Sequence, residues 1–266
     1  MLRSICGSFA IRFVTLLQVL FHITFTFPSL QRAVIEIFYP QYTMSRPALY
    51  YATPSPPSRA VVLTAKAIGL DLELRPINLL KGEHLTPEFI KMNPQHTIPT
   101  LVDGDATIID SHSICAYLVE KYGKEQQQLY PKDLVQRANV DARLHLDSGH
   151  LFARLRFLYE PILYFGSTDC SIDKIAYIQK CYEILEGFLK EQPYLCGTDL
   201  TIADFCAVAT VTSVNDAAPI DEFKFPKVNA WLKRLAELPY YQEVNRDGAD
   251  ELKAIFKAKL AENRGK

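Results

Sequence analysis

A serine in a proline-rich bend is the residue of this 266-residue chain best suited to chemistry. The bend reads Thr53-Pro54-Ser55-Pro56-Pro57, which can be neither strand nor mid-helix. Serine is a favoured N-cap and proline a favoured first helical residue, so Ser55 is placed to cap a helix. The same geometry suits an anion, because a helix N-terminus carries unpaired N–H groups and partial positive charge. A thiol with a pKa of about 8.5 reacts as its thiolate, and a hydroxyl that donates a hydrogen bond to sulfur favours the charged form. On local sequence alone, capping and activation of a bound thiol both stand open for Ser55.

His84 and His96 occupy two further loops, and Asp110-Ser111-His112 opens a helix. A lone histidine is more often a satisfied surface or core residue than a ligand contact. Their spacing is not that of a facing metal pair, so no metal site is expected. Asp110 and Ser111 read first as capping residues. Pro99 reads as an ordinary trans loop proline, since cis occurs in about one X-Pro bond in twenty.

The elements that would position these residues follow from periodicity. Ala48 to Ala52 is a short aromatic strand, and Val61, Val62, Ala65 and Ile68 recur at helical spacing up to Gly69. Leu72 to Leu79 alternates as a second strand, and Glu88 to Met92 suggests a short helix. Asn93-Pro94 and Ile98-Pro99 bracket a loop. Thr100 to Val102 and Thr107 to Ile109 form strands joined through Asp103-Gly104. Ser111 to Tyr122 is a helix closed by Gly123. This βαβ–α–ββα order is the thioredoxin-like one.

After the polar linker ending at Tyr130, long helical patterns follow and no convincing strand. Leu151, Phe152, Leu155, Leu158, Tyr159, Ile162 and Leu163 make a broad apolar stripe, read first as helix core. Pro161 should kink that helix. Thr201-Ile-Ala-Asp204 is a capping box, and Leu252, Ile255, Phe256 and Leu260 form a last helix folding over the domain. The expected fold is therefore an α/β thioredoxin-like domain over residues 44–124, then an all-α domain over residues 131–266.

Composition narrows the classes. A formal net charge of −1 argues against a nucleic-acid partner. The six cysteines form no C-x-x-C pair, which excludes a zinc knuckle or dithiol motif and fits a reducing, cytoplasmic compartment. Residues 1–43 differ: they carry Arg3, Arg12 and Arg32 with one acid, Glu36, and a broken apolar run from Phe9 to Phe27. They read as an extraneous segment upstream of a start at Met44, or as a leader or membrane anchor. Unless they are an anchor, no membrane association is expected.

Four strings together resemble the insect glutathione transferases of the epsilon class, sibling to the delta class. They are Ser55-Pro-Pro-Ser-Arg-Ala60, Leu80-Lys-Gly-Glu-His84-Leu-Thr, Asn93-Pro-Gln-His96-Thr-Ile-Pro99-Thr-Leu and Asp110-Ser111-His112. The resemblance covers nearly everything from Met44 onward and implies the cytosolic glutathione transferase architecture. It implies glutathione as cosubstrate, with the bend of Ser55 lacking the cysteine of glutaredoxin-type relatives, so that the thiol comes from the ligand. Ser55 would be catalytic. Glutathione would be held by His84, His96, Thr97, Ile98, Pro99, Asp110, Ser111 and His112. Of these, His84 and His96 reach its glycyl end and the Ile98 backbone pairs beside a cis Pro99. Asp110 faces the amine and Ser111 the carboxylate of the γ-glutamyl end. Asp110 stands where many relatives carry Glu. Phe152, Leu155, Arg156, Tyr159 and Leu163 would line the site of the second, apolar and electrophilic substrate. Conjugation, hydroperoxide reduction and dehydrochlorination all belong to such a family, in detoxification, usually as a homodimer. A carrier of glutathione and hydrophobic ligands with little turnover is the alternative.

Overall fold

Short aromatic and β-branched runs separated by Pro and Gly turns build a four-stranded mixed sheet in the computed structural model, which describes residues 46–266. The strands are β1 (Ala48–Tyr51), β2 (Glu73–Pro76), β3 (Thr100–Asp103) and β4 (Ala106–Ile109), in the order β2-β1-β3-β4. Helix α1 (Pro56–Ala67) carries the chain from β1 to its parallel neighbour β2. β3 and β4 then add antiparallel, with Thr100 opposite both Tyr50 and Ile109. The reading of residues 1–43 lies outside the described residues.

Several boundaries differ from expectation. Helix α1 begins at Pro56 behind its Ser55 cap, and both prolines fit its first turn. β2 stops at Pro76, which fits an edge strand, and all four of its residues are exposed. The hairpin turn is Gly104-Asp105, with Asp103 still paired to Ala106. Gly104 takes φ +60° at the first central position, where a type II′ hairpin wants glycine. Helix α2 (Pro87–Met92) leads into the loop before β3, and α3 (Ser111–Tyr122) follows β4.

From Leu134 onward the structure is helical: α4 (Leu134–Leu146), α5 (Phe152–Tyr164), α6 (Ile172–Phe188), α7 (Ile202–Val214), α8 (Pro226–Ala236) and α9 (Asp247–Arg264). This is the thioredoxin-like plus all-α architecture. One π-helical turn, Asp147–Leu151, joins α4 to α5, and another, Gln242–Arg246, precedes α9. Helix α5 runs past Pro161 to Tyr164.

Helix α7 is buried around almost its whole circumference, so it forms the centre against which α1 packs. Its first turn is fixed by Asp204. That carboxylate accepts from the Leu195 and Thr201 N–H groups at 2.9 Å, the Thr201 hydroxyl at 3.0 Å and Trp231 Nε1 at 3.0 Å. From the other side, Arg59 of α1 reaches in, 2 % exposed, donating to the carbonyls of Ala209 at 2.8 Å and Asn245 at 2.9 Å and contacting Ser213 Oγ. Burial pushes the Arg59 pKa down to about 9.

Candidate active site

The sheet register gathers the chemistry. Because Tyr50, Thr100 and Ile109 share a row, the end of β1, the start of β3 and the end of β4 lie at one end of the sheet. The bend of Ser55 leaves there from β1, Ile98-Pro99 enters β3 there, and Asp110-Ser111 leaves β4 there. Parallel pairing brings the exit of β2 to the same end, with the Ile77 N–H donating to the Tyr51 carbonyl at 2.8 Å, and the turn of His84 follows.

Ser55 is the half-buried N-cap of α1, in extended conformation at φ −76° and ψ 117°. Its N–H donates to the Ala52 carbonyl at 3.0 Å, which closes the bend. Its Oγ accepts from the Ser58 N–H at 3.4 Å. Pro56 and Pro57 have no N–H, so the Ser58 amide is the first donor of the helix, and the cap uses it. The helix end therefore offers an anion its dipole but no nest of free amides. What remains is the Ser55 hydroxyl proton, which finds no acceptor among the described residues. That proton can be donated outward.

His84 and His96 face each other with ring centroids 6.2 Å apart. Burial, and then the neighbouring His96, lowers the His84 pKa, and the His84 Nδ1 is buried with no partner among the described residues. His96 sits in left-handed backbone at φ 44°, uncommon for a residue with a side chain. Its loop is organised by Asn93, a fully buried residue to which sequence alone assigned no role of its own. Asn93 Nδ2 donates to the Thr97 carbonyl at 3.0 Å and Thr100 Oγ1 at 2.9 Å, and Oδ1 accepts from the Gln95 N–H at 2.9 Å. The Ile98–Pro99 bond is cis, and the Ile98 side chain is buried. The Ile98 N–H has no hydrogen-bond partner among the described residues, and Thr97 is exposed beside it.

Asp110 adopts φ 72° and caps α3, its Oδ1 accepting from the His112 N–H at 3.0 Å and the Ser113 N–H at 3.1 Å. Both bonds fall on one oxygen, so Oδ2 is left for another donor. Ser111 beside it is 7 % exposed. The His112 ring is sandwiched between carboxylates: Nδ1 lies 3.6 Å from Asp110 Oδ1, and Nε2 lies 2.9 Å from Asp147 Oδ2. Burial opposes charge on this ring, but the bonds to Asp110 and Asp147 outweigh it and hold its pKa up at about 10. Asp110 is lowered, first by its bond to His112, whereas burial raises Asp147 against the pull of the same ring. We read the trio as an imidazolium held by two carboxylates, because two acids facing one basic ring favour its charge. Asp147 escaped the sequence reading, since its partner is 35 residues distant.

The five residues on α5 separate by exposure. Phe152 and Leu163 are half-buried, and Arg156 is exposed and paired with Glu160. Leu155 is buried, and Tyr159 is only 1 % exposed. The Tyr159 ring stacks on Phe256 at 4.1 Å, and its hydroxyl donates to the Ser213 carbonyl at 2.9 Å. A cavity of about 420 Å³ lies elsewhere, among the ends of α7, α8 and α9, lined by Thr212, Asp216, Leu232, Tyr241 and Lys253. It holds none of the residues at the sheet end. Among the described residues no three His, Cys, Asp or Glu side chains converge as a metal ion would require, and no helix is long and apolar enough to cross a membrane.

A capped serine bend at the end of a thioredoxin-like sheet, followed by an all-helical segment, defines a class of two-part proteins. Comparison with known proteins gives the class its family. The model for the glutathione S-transferase N-terminal domain matches residues 49–126, and that for the C-terminal domain matches residues 174–239. Glutathione S-transferase 1 of Manduca sexta is 44% identical over 215 residues, which span 80% of this chain and 98% of the relative. An epsilon-class glutathione S-transferase structure from the housefly, Musca domestica, is 48% identical, with a TM-score of 0.78 over 80% of this chain and 98% of that one. A glutathione transferase homologue from Drosophila mojavensis, solved with bound glutathione, is 47% identical, with a TM-score of 0.79 over 81% of this chain and 98% of that one. The chain belongs to the glutathione S-transferase family and is a glutathione transferase, with insect epsilon-class structures among its relatives.

Proposed function

We propose that the protein binds glutathione across the sheet end and holds its sulfur as a thiolate by a hydrogen bond from Ser55, for attack on an apolar electrophile. The observation that carries this is the Ser55 hydroxyl: it accepts from Ser58 N–H and keeps its own proton for an outside acceptor. Asp110 Oδ2 takes the γ-glutamyl amine, and the Ser111 hydroxyl and N–H take the adjoining carboxylate. His112 fixes Asp110 through its backbone N–H and its ring. The Ile98 N–H pairs with the cysteinyl backbone as an added strand would, next to Thr97 and Pro99. His84 and His96 contact the glycyl end.

On this reading residues 44–124 form the glutathione domain and residues 131–266 the domain of the second substrate. Phe152, Arg156 and Leu163 offer surface to that substrate, and Leu155 and Tyr159 support them from behind. Conjugation, hydroperoxide reduction and dehydrochlorination would all draw on the same thiolate, in detoxification. The reading includes a cytoplasmic homodimer, which cell fractionation and sedimentation test.

Two measurements test the proposal. The protein should be retained on immobilised glutathione, and it should conjugate a chlorodinitrobenzene-type electrophile with most of the rate lost in Ser55→Ala. No retention would overturn the binding site. Retention without turnover would make the protein a carrier.

A further inference from the structure

Gly248 stands in the first turn of α9, buried, where glycine weakens a helix relative to alanine. Its φ is not in the left-handed region, so the backbone does not demand glycine there. Space does. A Cβ at Gly248 would lie 2.3 Å from the Thr53 carbonyl oxygen and 2.6 Å from Arg59 Cδ. Such distances lie inside van der Waals contact, and the nearer atom is backbone. Thr53 belongs to the bend of Ser55, two residues before it and next to Ala52, whose carbonyl accepts from the Ser55 N–H at 3.0 Å. The last helix therefore presses its bare backbone directly on the bend of Ser55.

A second contact fixes the same pair of elements. Arg59, four residues after Ser55, donates to the Asn245 carbonyl at 2.9 Å within the π-helical turn that precedes α9. A turn with wider hydrogen-bond spacing leaves carbonyls available to outside donors. The bend is thus held at Thr53 by Gly248 and one turn further on through Arg59, whose acceptors are the Asn245 carbonyl before α9 and the Ala209 carbonyl of α7.

We propose that Gly248 is a positioning residue for thiol activation: the close approach of its backbone sets the bend at the position from which the Ser55 hydroxyl reaches the glutathione sulfur. The inference rests on the role given to Ser55 above. The other glutathione contacts come from the loops of His84, His96 and Asp110, which Gly248 does not touch. Displacing the bend should therefore affect sulfur ionisation and leave the grip on the rest of glutathione in place.

The test is Gly248→Ala in the full chain, read by ultraviolet titration of the bound thiolate together with kcat and KM for glutathione. The thiolate pKa should rise by about one unit, and kcat near neutral pH should fall about three- to eightfold and recover as pH rises. The KM for glutathione should stay within about threefold. A purely structural role predicts lower stability with the thiolate pKa of the folded protein unchanged. A folded Gly248→Ala protein with the parent thiolate pKa would overturn the proposal. If that variant does not fold, Ala249→Gly decides: it loosens the same turn without adding bulk, and a raised thiolate pKa supports the proposal while an unchanged one refutes it. Ser55→Ala measured alongside separates the two readings. An unshifted thiolate there removes the role of Ser55 itself, whereas a shift in Ser55→Ala without one in either α9 variant removes only that of Gly248.

Discussion

Removing the Ser55 hydroxyl should change the rate by an amount that depends on pH, and that dependence identifies its cause. A hydrogen bond to a charged acceptor contributes about 1.5–3 kcal/mol, or about one to two pKa units for the thiol it serves. Starting from an unperturbed thiol near 8.5, the bound sulfur would then ionise at about 6.5–7.5. In Ser55→Ala it returns toward about 8.5, less whatever the helix dipole still supplies. Below about pH 6 the thiolate fraction, and with it kcat/KM toward an aromatic chloride, should drop roughly 10- to 100-fold. By about pH 9.5 both thiols are ionised and the gap should close to under about twofold. The more basic thiolate is also intrinsically more nucleophilic, so the two profiles converge or cross. Stability is a minor confounder, since the cap from Ser58 is long at 3.4 Å and its loss should cost below about 1 kcal/mol. Ser55→Thr keeps a hydroxyl and should retain most of the low-pH rate. Stopped-flow or steady-state conjugation across pH 5.5 to about 9.5 is the assay. Parallel profiles, with the same loss at every pH, would refute thiol ionisation as the function of Ser55.

Three further outcomes follow from the described contacts. His112, held up at about 10 against an unfolded value near 6.5, stabilises the fold fully below about pH 6.5 and loses that contribution as pH rises through about 10. Urea unfolding should thus show stability declining over that window in the parent and a flatter profile in His112→Gln; equal slopes would contradict the ion trio. Asp204→Ala strands the Trp231 Nε1 and two backbone N–H donors in the core and should cost about 3 kcal/mol or more, with a loss under about 1 kcal/mol counting against the Asp204 network. Tyr159→Phe should lower stability by about 1 kcal/mol through its bond to Ser213 and leave KM for the second substrate unchanged, whereas Arg156→Ala should shift that KM with little change in stability; the opposite pattern would move Tyr159 into the site.

The turn chemistry of the first half was legible because it is local. Pro56-Pro57 after a serine, glycine in a two-residue hairpin and Asp110 before a helix each announce themselves within four residues. The apolar stripe on α5 was legible as a stripe. Its division into core and free surface was not, because Tyr159 is buried by Phe256 from a helix almost a hundred residues later. Tertiary partners account for the rest. Asp147 acts through a ring on another helix, and Gly248 matters through a carbonyl almost two hundred residues upstream. Asn93 was in plain view beside Pro94, but only its burial reveals that it builds the loop of His96. The two prolines carry a second meaning that composition could not supply: they remove two amides from the helix end, and on the proposed reading that leaves an anion to the Ser55 hydroxyl.

A crystal structure of the complex with glutathione addresses that assignment most directly. The sulfur should sit within hydrogen-bonding reach of Ser55 Oγ, with the γ-glutamyl group at Asp110 and Ser111. A sulfur turned away from Ser55, or a peptide lodged in the cavity between α7 and α9, would contradict it.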